Sequence, residues 1–165
     1  MENHIAYISL GSNMGDSLNN CQKGMAALTL SCSTGKTKLS PFYKTQPQEY
    51  SNQDWFINAV AMINTTLEPL VLFKELQSIQ EKAGRIKRTI RFGPRILDLD
   101  ILLYDNMVIN YPQLTIPHPR MHKRRFVLQP LYDINPDIIH PVMKKNVKTL
   151  LNNIKTDEQG IRPVK

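Results

Sequence analysis

The alternation of strand-like and helix-like segments over the first 104 residues limits the possible folds more than any other feature. Four apolar segments predict strands, at 4–10, 36–43, 55–65 and 96–104. A helix to about residue 30 is predicted by apolar residues spaced by three or four positions, namely Leu18, Cys21, Met25 and Leu28. Pro69 begins a second predicted helix and Gly84 ends it. The order β-α-β-β-α-β predicts an α+β protein with a ferredoxin-like, split βαβ core, in which helices flank a mostly antiparallel sheet.

The length and composition fit one globular domain spanning residues 1–165. Hydrophobic residues make up 41% of the chain and charged residues 21%. No apolar run approaches the roughly 20 residues of a membrane-spanning helix, and the N-terminus has no basic segment typical of a signal peptide. We therefore expect a cytoplasmic protein. Cys21 and Cys32 lack metal-ligand spacing and predict reduced, structural thiols. Shorter helices are expected at 126–131 and 146–153.

The positive charge is concentrated in two short segments. The net charge is +7, and residues 82–95 carry six basic side chains and no acidic one. Residues 120–125 carry four more, again without an acid, whereas the rest of the chain has 11 basic and 14 acidic groups. This distribution suits a compact pocket for a polyanion at least as well as a long surface that follows nucleic-acid phosphates. A nucleic-acid-binding domain stays open as an alternative at this point.

Two acids interrupt the last apolar strand, in the sequence ILDLDILLY. Because side chains alternate along a strand, Asp98 and Asp100 should share one face, about 7 Å apart. The apolar residues should form the opposite, core face: Leu97, Leu99, Ile101 and Leu103. One interpretation is that each acid forms an ordinary ion pair with a nearby Arg or Lys. The other is a Mg²⁺ site, since Mg²⁺ takes one or two carboxylates and completes its shell with water and substrate phosphates.

The neighbouring arginines favour the second interpretation. Arg85 and Arg95 lie at either end of the cationic, Gly-Pro-containing connection that precedes the acids. A guanidinium group can bind a phosphate through two parallel hydrogen bonds, and its charge stabilises the charge that develops on a transferred phosphoryl group. Acids that hold a metal beside arginines that hold phosphate indicate phosphoryl-type transfer from a nucleotide.

These residues resemble the signature of the 6-hydroxymethyl-7,8-dihydropterin pyrophosphokinases. The central match is FGPRILDLDIL, residues 92–102, which combines Gly-Pro-Arg with the Asp-x-Asp pair. Further matches lie in the same order as in the family: ISLGSN at 8–13, FYKT at 42–45, FINAV at 56–60, AGR at 83–85, LTIPH at 114–118 and RRFVLQPL at 124–131. The last 24 residues contribute nothing diagnostic.

The resemblance implies transfer of a pyrophosphoryl group from ATP to the hydroxymethyl oxygen of a reduced pterin, leaving AMP, in folate biosynthesis. It implies two Mg²⁺ ions held by Asp98 and Asp100. It assigns catalysis to Arg85, Arg95, Asp98 and Asp100. It assigns ATP binding to Gln77, Arg85, Lys87, Arg95, Ile101, Thr115, His118 and Arg124. It assigns pterin binding to Thr45, Gln46, Pro47, Phe56, Asn58, Phe92, Asp98 and Phe126.

The residues support part of this assignment independently. Phe56 and Asn58 are two positions apart on a predicted strand, so they share a face and could offer a stacking surface and a polar edge to a flat heterocycle. The alternative is that Phe56 and Phe126 are core residues. Partners are expected to be small molecules, with no nucleic acid or membrane, and a monomer is the simplest expectation.

Three positions depart from frequent choices in the family. Gln80 stands in place of Glu, Phe92 in place of Trp and Phe56 in place of Tyr. None of the three is a metal ligand or a phosphate-binding arginine. A nucleotide-binding protein without activity stays open as a third possibility.

Overall fold

The order of the elements follows the predicted β-α-β-β-α-β pattern. A computed structural model of the chain describes residues 1–84, 92–155 and 159–164. Its strands are β1 (His4–Ser12), β2 (Thr37–Leu39), β3 (Tyr43–Thr45), β4 (Phe56–Thr65), β5 (Asp98–Tyr104), β6 (Ile109–Asn110), β7 (Thr115–Ile116) and β8 (Ile161–Pro163). Its helices are α1 (Ser17–Cys32), α2 (Pro69–Lys82), α3 (Arg125–Ile134) and α4 (Val147–Asn152), with a 3₁₀ turn at Met121–Lys123.

The main sheet has the order β5-β1-β4-β3-β8, with β2 also paired to β4. Every pairing in it is antiparallel. The first and last strands of the predicted core, β1 and β5, are neighbours although two helices, α1 and α2, and three strands, β2, β3 and β4, lie between them in sequence. The α+β, ferredoxin-like prediction is therefore confirmed. A separate two-stranded ladder, β6-β7, precedes the 3₁₀ turn.

Two hydrophobic cores lie on opposite faces of the sheet. One packs α1 and α2 against the sheet through residues such as Ile8, Leu28 and Leu76. The other packs α3 and α4 through residues such as Val60, Leu128 and Leu150. Both cysteines are buried and free, and burial raises the pKa of the Cys21 thiol to about 12 and that of Cys32 to about 11. Both thiols therefore stay protonated and unreactive at neutral pH.

The last core strand corrects one sequence expectation. Its pairing with β1 shifts register between Tyr7 and Ile8, so that Ile8 faces Ile101 whereas Tyr7 faces Leu103. As a result Leu97, Leu99 and Ile101 belong to the α1/α2 core as predicted, but Leu103 lies in the α3/α4 core. Strict alternation placed Leu103 on the wrong face because an irregularity of this kind adds a residue to one strand and reverses the side chains beyond it.

Two further segments differ from the sequence expectation. The predicted strand at 36–43 is split into β2 and β3, because Pro41 has no N–H for the ladder. At the break, the Val60 N–H donates to the Ser40 side-chain hydroxyl, and the Ser40 N–H donates to the Val60 carbonyl. The short helix expected at 126–131 is longer in the structure, where α3 covers Arg125–Ile134.

The second helix follows its prediction: Pro69 begins α2, and Gly84 follows its end with a φ of +97°. In the described part of the chain, no helix is long and apolar enough to cross a membrane.

Candidate active site

The two acids of β5 lie on the sheet face that carries α3 and α4. Both are partly exposed, and the register pairs Asp98 with Gly11 and Asp100 with Ser9 on β1. Leu99 and Ile101 between and beyond them are buried in the opposite core. The prediction that Asp98 and Asp100 share a face, separate from the core side of the strand, is confirmed.

Neighbouring residues on β5, β1 and β4 connect Asp98 to the polar side chain of Asn58. Gly11 faces Asp98 on one side and Asn58 on the other. The Asn58 Nδ2 group donates to the hydroxyl of Thr45 at 2.6 Å, which fixes the orientation of the amide. A Cβ atom on Gly11 would lie 2.5 Å from Asn58 Oδ1, so only glycine leaves this amide in place.

One cavity opens directly above these residues, and we call it the aromatic pocket. It is lined by all eight residues assigned to the pterin by resemblance: Thr45, Gln46, Pro47, Phe56, Asn58, Phe92, Asp98 and Phe126. Phe56 and Phe126 are only partly buried, so they are not simply core residues. The pocket thus combines aromatic surfaces with a fixed amide, which is the arrangement that a flat, polar heterocycle requires.

A second cavity adjoins the first, and we call it the charged pocket. Its lining includes four of the residues assigned to ATP, Gln77, Arg95, His118 and Arg124, together with Asp98 and Asp100. The two acids, Arg95, His118 and Arg124 also line the aromatic pocket. The acids and their cationic neighbours therefore stand at the boundary between an aromatic site and a charged one.

A third cavity continues outward from Asp100 and His118. Ile101 and Thr115, the remaining described residues assigned to ATP, line it together with Phe73 and Leu114. Its apolar walls lie beside the charged pocket, at a place suited to the base of a nucleotide. Arg85 and Lys87 lie outside the described residues.

Arg95 is almost fully buried beside the acids. Its Nη1 donates to Asp98 Oδ1 at 3.3 Å, and its Nε is a buried polar atom with no hydrogen-bond partner among the residues that the structure describes. The Arg95 backbone is held by Asn13, which accepts from its N–H at 2.8 Å and donates to its carbonyl at 3.0 Å. A buried donor without an acceptor is costly for folding alone. It fits a site that binds an anion such as a phosphate.

His118 is neutral in this environment. Burial, which is the largest cause, and the charges of Arg124 and Arg120 together lower its pKa to about 4, against a smaller opposing effect of Asp98. Its Nδ1 accepts a hydrogen bond from the backbone N–H of Arg120 at 3.1 Å. The ring proton therefore lies on Nε2, which makes that atom a hydrogen-bond donor. Burial also lowers the pKa of the Arg124 guanidinium.

Some residues of the site were not assigned from the sequence. Asn13 Nδ2 donates to Gln53 Oε1 at 3.0 Å, and Gln53 Nε2 donates to the carbonyl of Phe92 at 2.8 Å. These bonds join the end of β1, the loop before β4 and the segment before β5. Asn13 lies within the matched ISLGSN segment, which could have indicated a role, whereas no sequence signal singled out Gln53.

The departures from the family pattern are accommodated locally. Gln80 is buried and lines the charged pocket, where its Nε2 donates to the carbonyls of Leu76 at 3.0 Å and Leu99 at 3.4 Å. Phe92 still borders both pockets. The structure therefore keeps both side chains at the site, with a neutral amide where an acid is frequent.

Comparison with known proteins gives one consistent result. The model of the 7,8-dihydro-6-hydroxymethylpterin-pyrophosphokinase family matches residues 7–136. The chain belongs to this family. It is 44% identical over 136 residues to the 2-amino-4-hydroxy-6-hydroxymethyldihydropteridine pyrophosphokinase of Haemophilus influenzae, a match that covers 82% of this chain and 84% of that protein.

A longer relative is the folic acid synthesis protein fol1 of Schizosaccharomyces pombe. It is 41% identical over 161 residues, which is 98% of this chain but 22% of fol1. The chain thus spans about a fifth of the length of this fungal protein. Among solved structures, wild-type Plasmodium falciparum HPPK-DHPS with pteroate has a TM-score of 0.73 at 17% identity, covering 92% of this chain and 42% of that chain. The structural likeness supports the pyrophosphokinase fold of the family.

Proposed function

We propose that this protein is a 2-amino-4-hydroxy-6-hydroxymethyldihydropteridine diphosphokinase. It transfers the β- and γ-phosphates of ATP, as one group, to 6-hydroxymethyl-7,8-dihydropterin and releases AMP, a step of folate biosynthesis. The observation that carries the proposal is the position of Asp98 and Asp100 at the boundary of the aromatic and charged pockets. Two substrates bound in these adjoining pockets would meet at the acids.

The pterin occupies the aromatic pocket in this proposal. Its ring stacks between Phe56 and Phe126, and its polar edge bonds to the Asn58 amide that Thr45 holds in place. This orientation directs the hydroxymethyl group toward Asp98. Holding the acceptor oxygen next to the phosphorus that it attacks removes most of the entropic cost of bringing two reactants together.

The triphosphate of ATP occupies the charged pocket. Arg95, whose Nε lacks a partner within the described part of the chain, and Arg124 provide positive charge for the phosphate oxygens, and neutral His118 donates from Nε2. The base lies in the outer cavity near Ile101 and Thr115. Arg85 and Lys87 are proposed as further phosphate contacts. Charge that develops on the transferred group is stabilised by guanidinium groups already in position.

The donor set fits Mg²⁺. Asp98 and Asp100 provide two carboxylates on a rigid strand, and within 1–84, 92–155 and 159–164 no larger cluster of potential ligands occurs. Mg²⁺ typically takes one or two protein carboxylates together with phosphate oxygens and water. Asp98 and Asp100 would hold two Mg²⁺ ions, which would neutralise phosphate charge and polarise the phosphorus under attack.

The test is incubation of the protein with ATP, Mg²⁺ and 6-hydroxymethyl-7,8-dihydropterin, followed by chromatography of the nucleotides. We expect AMP in an amount equal to the pterin consumed, and no AMP when EDTA removes the metal. Formation of ADP, or no reaction, would contradict the proposal.

A further inference from the structure

A cationic side chain outside the assigned site residues connects two segments that enclose the aromatic pocket. Arg120 lies between β7 and the 3₁₀ turn, and its Nη1 donates to the Glu49 carboxylate at 3.1 and 3.4 Å. Its guanidinium carbon also lies 4.5 Å from the centre of the Phe92 ring. Glu49 belongs to the loop between β3 and β4, and Phe92 precedes β5. Three segments distant in sequence therefore meet at Arg120.

Glu49 and Phe92, the two residues described in contact with the Arg120 guanidinium, have an unusual backbone conformation. Glu49 has a φ of +68° and Phe92 a φ of +57°, in the left-handed region that L-residues other than Asn and Asp seldom adopt. Such conformations persist where surrounding contacts hold them, and they cluster at ligand clamps. The contacts with Arg120 are suited to hold Glu49 and Phe92 in these conformations.

Arg120 also stands between the two substrate pockets. Glu49 and Phe92 line the aromatic pocket, whereas Arg120 itself lines the charged pocket beside His118 and Arg124. Its backbone N–H bonds to His118 Nδ1. Arg120 thus contacts two residues that line the aromatic pocket and is bonded to His118 in the lining of the charged pocket.

The Arg120–Glu49 ion pair is weak enough to open. The two side chains are 34% and 42% exposed, and ion pairs with this exposure are screened by solvent and contribute little to folding stability. A contact that admits a substrate and then retains it has to be reversible. The pair therefore suits substrate retention better than stabilisation of the fold.

We propose that Arg120 is a positioning residue that, through Glu49 and Phe92, holds the border of the aromatic pocket around the bound reduced pterin. This inference rests on the proposed function. Arg120 acts on the pterin through Glu49 and Phe92, and it does not need to touch the pterin itself.

The test is a double-mutant cycle with Arg120→Gln, Glu49→Gln and the double variant. Lys123→Gln is the matched control, because Lys123 is an exposed cation of the same 120–125 segment that lines neither pocket. For each variant, kcat and the KM values for pterin and for ATP are measured at saturating Mg²⁺. Thermal unfolding verifies that the exposed substitutions leave the fold intact.

We expect each single variant to raise the KM for pterin about 3- to 5-fold, as loss of a partly exposed ion pair predicts. The double variant should be no worse than about 5-fold, because both changes remove one contact. Glu49→Gln should leave kcat and the KM for ATP within about 2-fold of the wild type, and the control should match the wild type throughout.

Other outcomes would overturn the inference. Multiplied effects in the double variant, or a Glu49→Gln variant with the wild-type KM for pterin, would show that the pair does not act as a unit. An Arg120→Gln variant that raises only the KM for ATP would instead indicate a phosphate contact. A wild-type protein that forms no AMP would overturn the proposed function as well, whereas an active wild type with independent effects would overturn only the role of Arg120.

Discussion

At the scale of single residues, Asp98 and Asp100 have the most specific consequence. Each side chain is partly exposed and lines the charged pocket, and neither is among the buried residues of the two cores. We expect Asp98→Asn and Asp100→Asn each to lower turnover more than about 1,000-fold, since several kcal/mol of charge stabilisation would be lost. The melting temperature should change little. AMP release and thermal unfolding measure the two effects, and either variant retaining near-wild-type turnover would make the metal assignment wrong.

His118 gives a second prediction at this scale, concerning pH. The folded pKa of about 4 lies below the ordinary value of 6.5, so the unfolded state binds more protons between these values. His118 therefore makes the free energy of unfolding fall as pH decreases from about 6.5 to 4. Denaturant titrations across this range should show a shallower pH dependence for His118→Gln. An unchanged slope, or an NMR titration of His118 near pH 6.5, would contradict the assignment of a neutral ring.

At the scale of elements, the contact of β1 with β4 is decisive for the aromatic pocket. A methyl group at Gly11 would displace the Asn58 amide, which is the end of a side chain and can move without unfolding the sheet. We expect Gly11→Ala to weaken pterin binding at least about 10-fold, the scale of a lost buried hydrogen bond, with a small change in stability. Calorimetric titration with pterin, a non-hydrolysable ATP analogue and Mg²⁺ measures this.

Gly35→Ala is the control for that experiment. Its added Cβ would meet only Asn64, at an ordinary contact distance of 3.5 Å. Unaltered pterin affinity in Gly11→Ala would mean that the position of the Asn58 amide is not important for recognition.

The C-terminal strand gives the second prediction for an element. β8 pairs with β3, and two hydrogen bonds join Gly160 to Gln46. The Gly160 carbonyl accepts from the Gln46 backbone N–H at 2.9 Å, and the Gly160 N–H donates to Gln46 Oε1 at 3.1 Å. Removal of residues 155–165 leaves the β3 edge and Gln46 without these partners. We expect a folded, less stable protein with a raised KM for pterin and an unchanged KM for ATP. An unchanged KM for pterin in the truncated protein would exclude a role of β8 at the pocket.

Across the whole molecule, the features of the fold that could be predicted are those set by the hydrophobic pattern within one segment of sequence. The apolar runs gave the order of the core elements, and alternation placed Asp98 and Asp100 on their own face. The register shift beside Ile8 and the pairing of β8 with β3 depend on which strands pair, and pairing is not encoded in any one segment. β8 is also only three residues long and mostly exposed, so it has no hydrophobic pattern to detect.

The candidate site likewise has a part that could be predicted from the sequence and a part that depends on contacts between distant segments. The described residues that the resemblance assigns to the substrates lie around three adjoining cavities, as a resemblance can predict. The contact of Arg120 with Glu49 joins residues 71 positions apart through side chains on irregular segments. No periodicity relates such positions, so only the three-dimensional structure reveals them.

Labelled ATP distinguishes the transfer of two phosphates as one group from the transfer of a single phosphate. In parallel reactions with Mg²⁺ and 6-hydroxymethyl-7,8-dihydropterin, ATP carries ³²P at the β- or at the γ-position, and the products are separated by chromatography. We predict that both labels appear in the pterin product and neither in the remaining nucleotide, which is AMP. Label from the β-position that stays in ADP, with only γ-label on the pterin, would show that a single phosphate is transferred and would rule out pyrophosphoryl transfer.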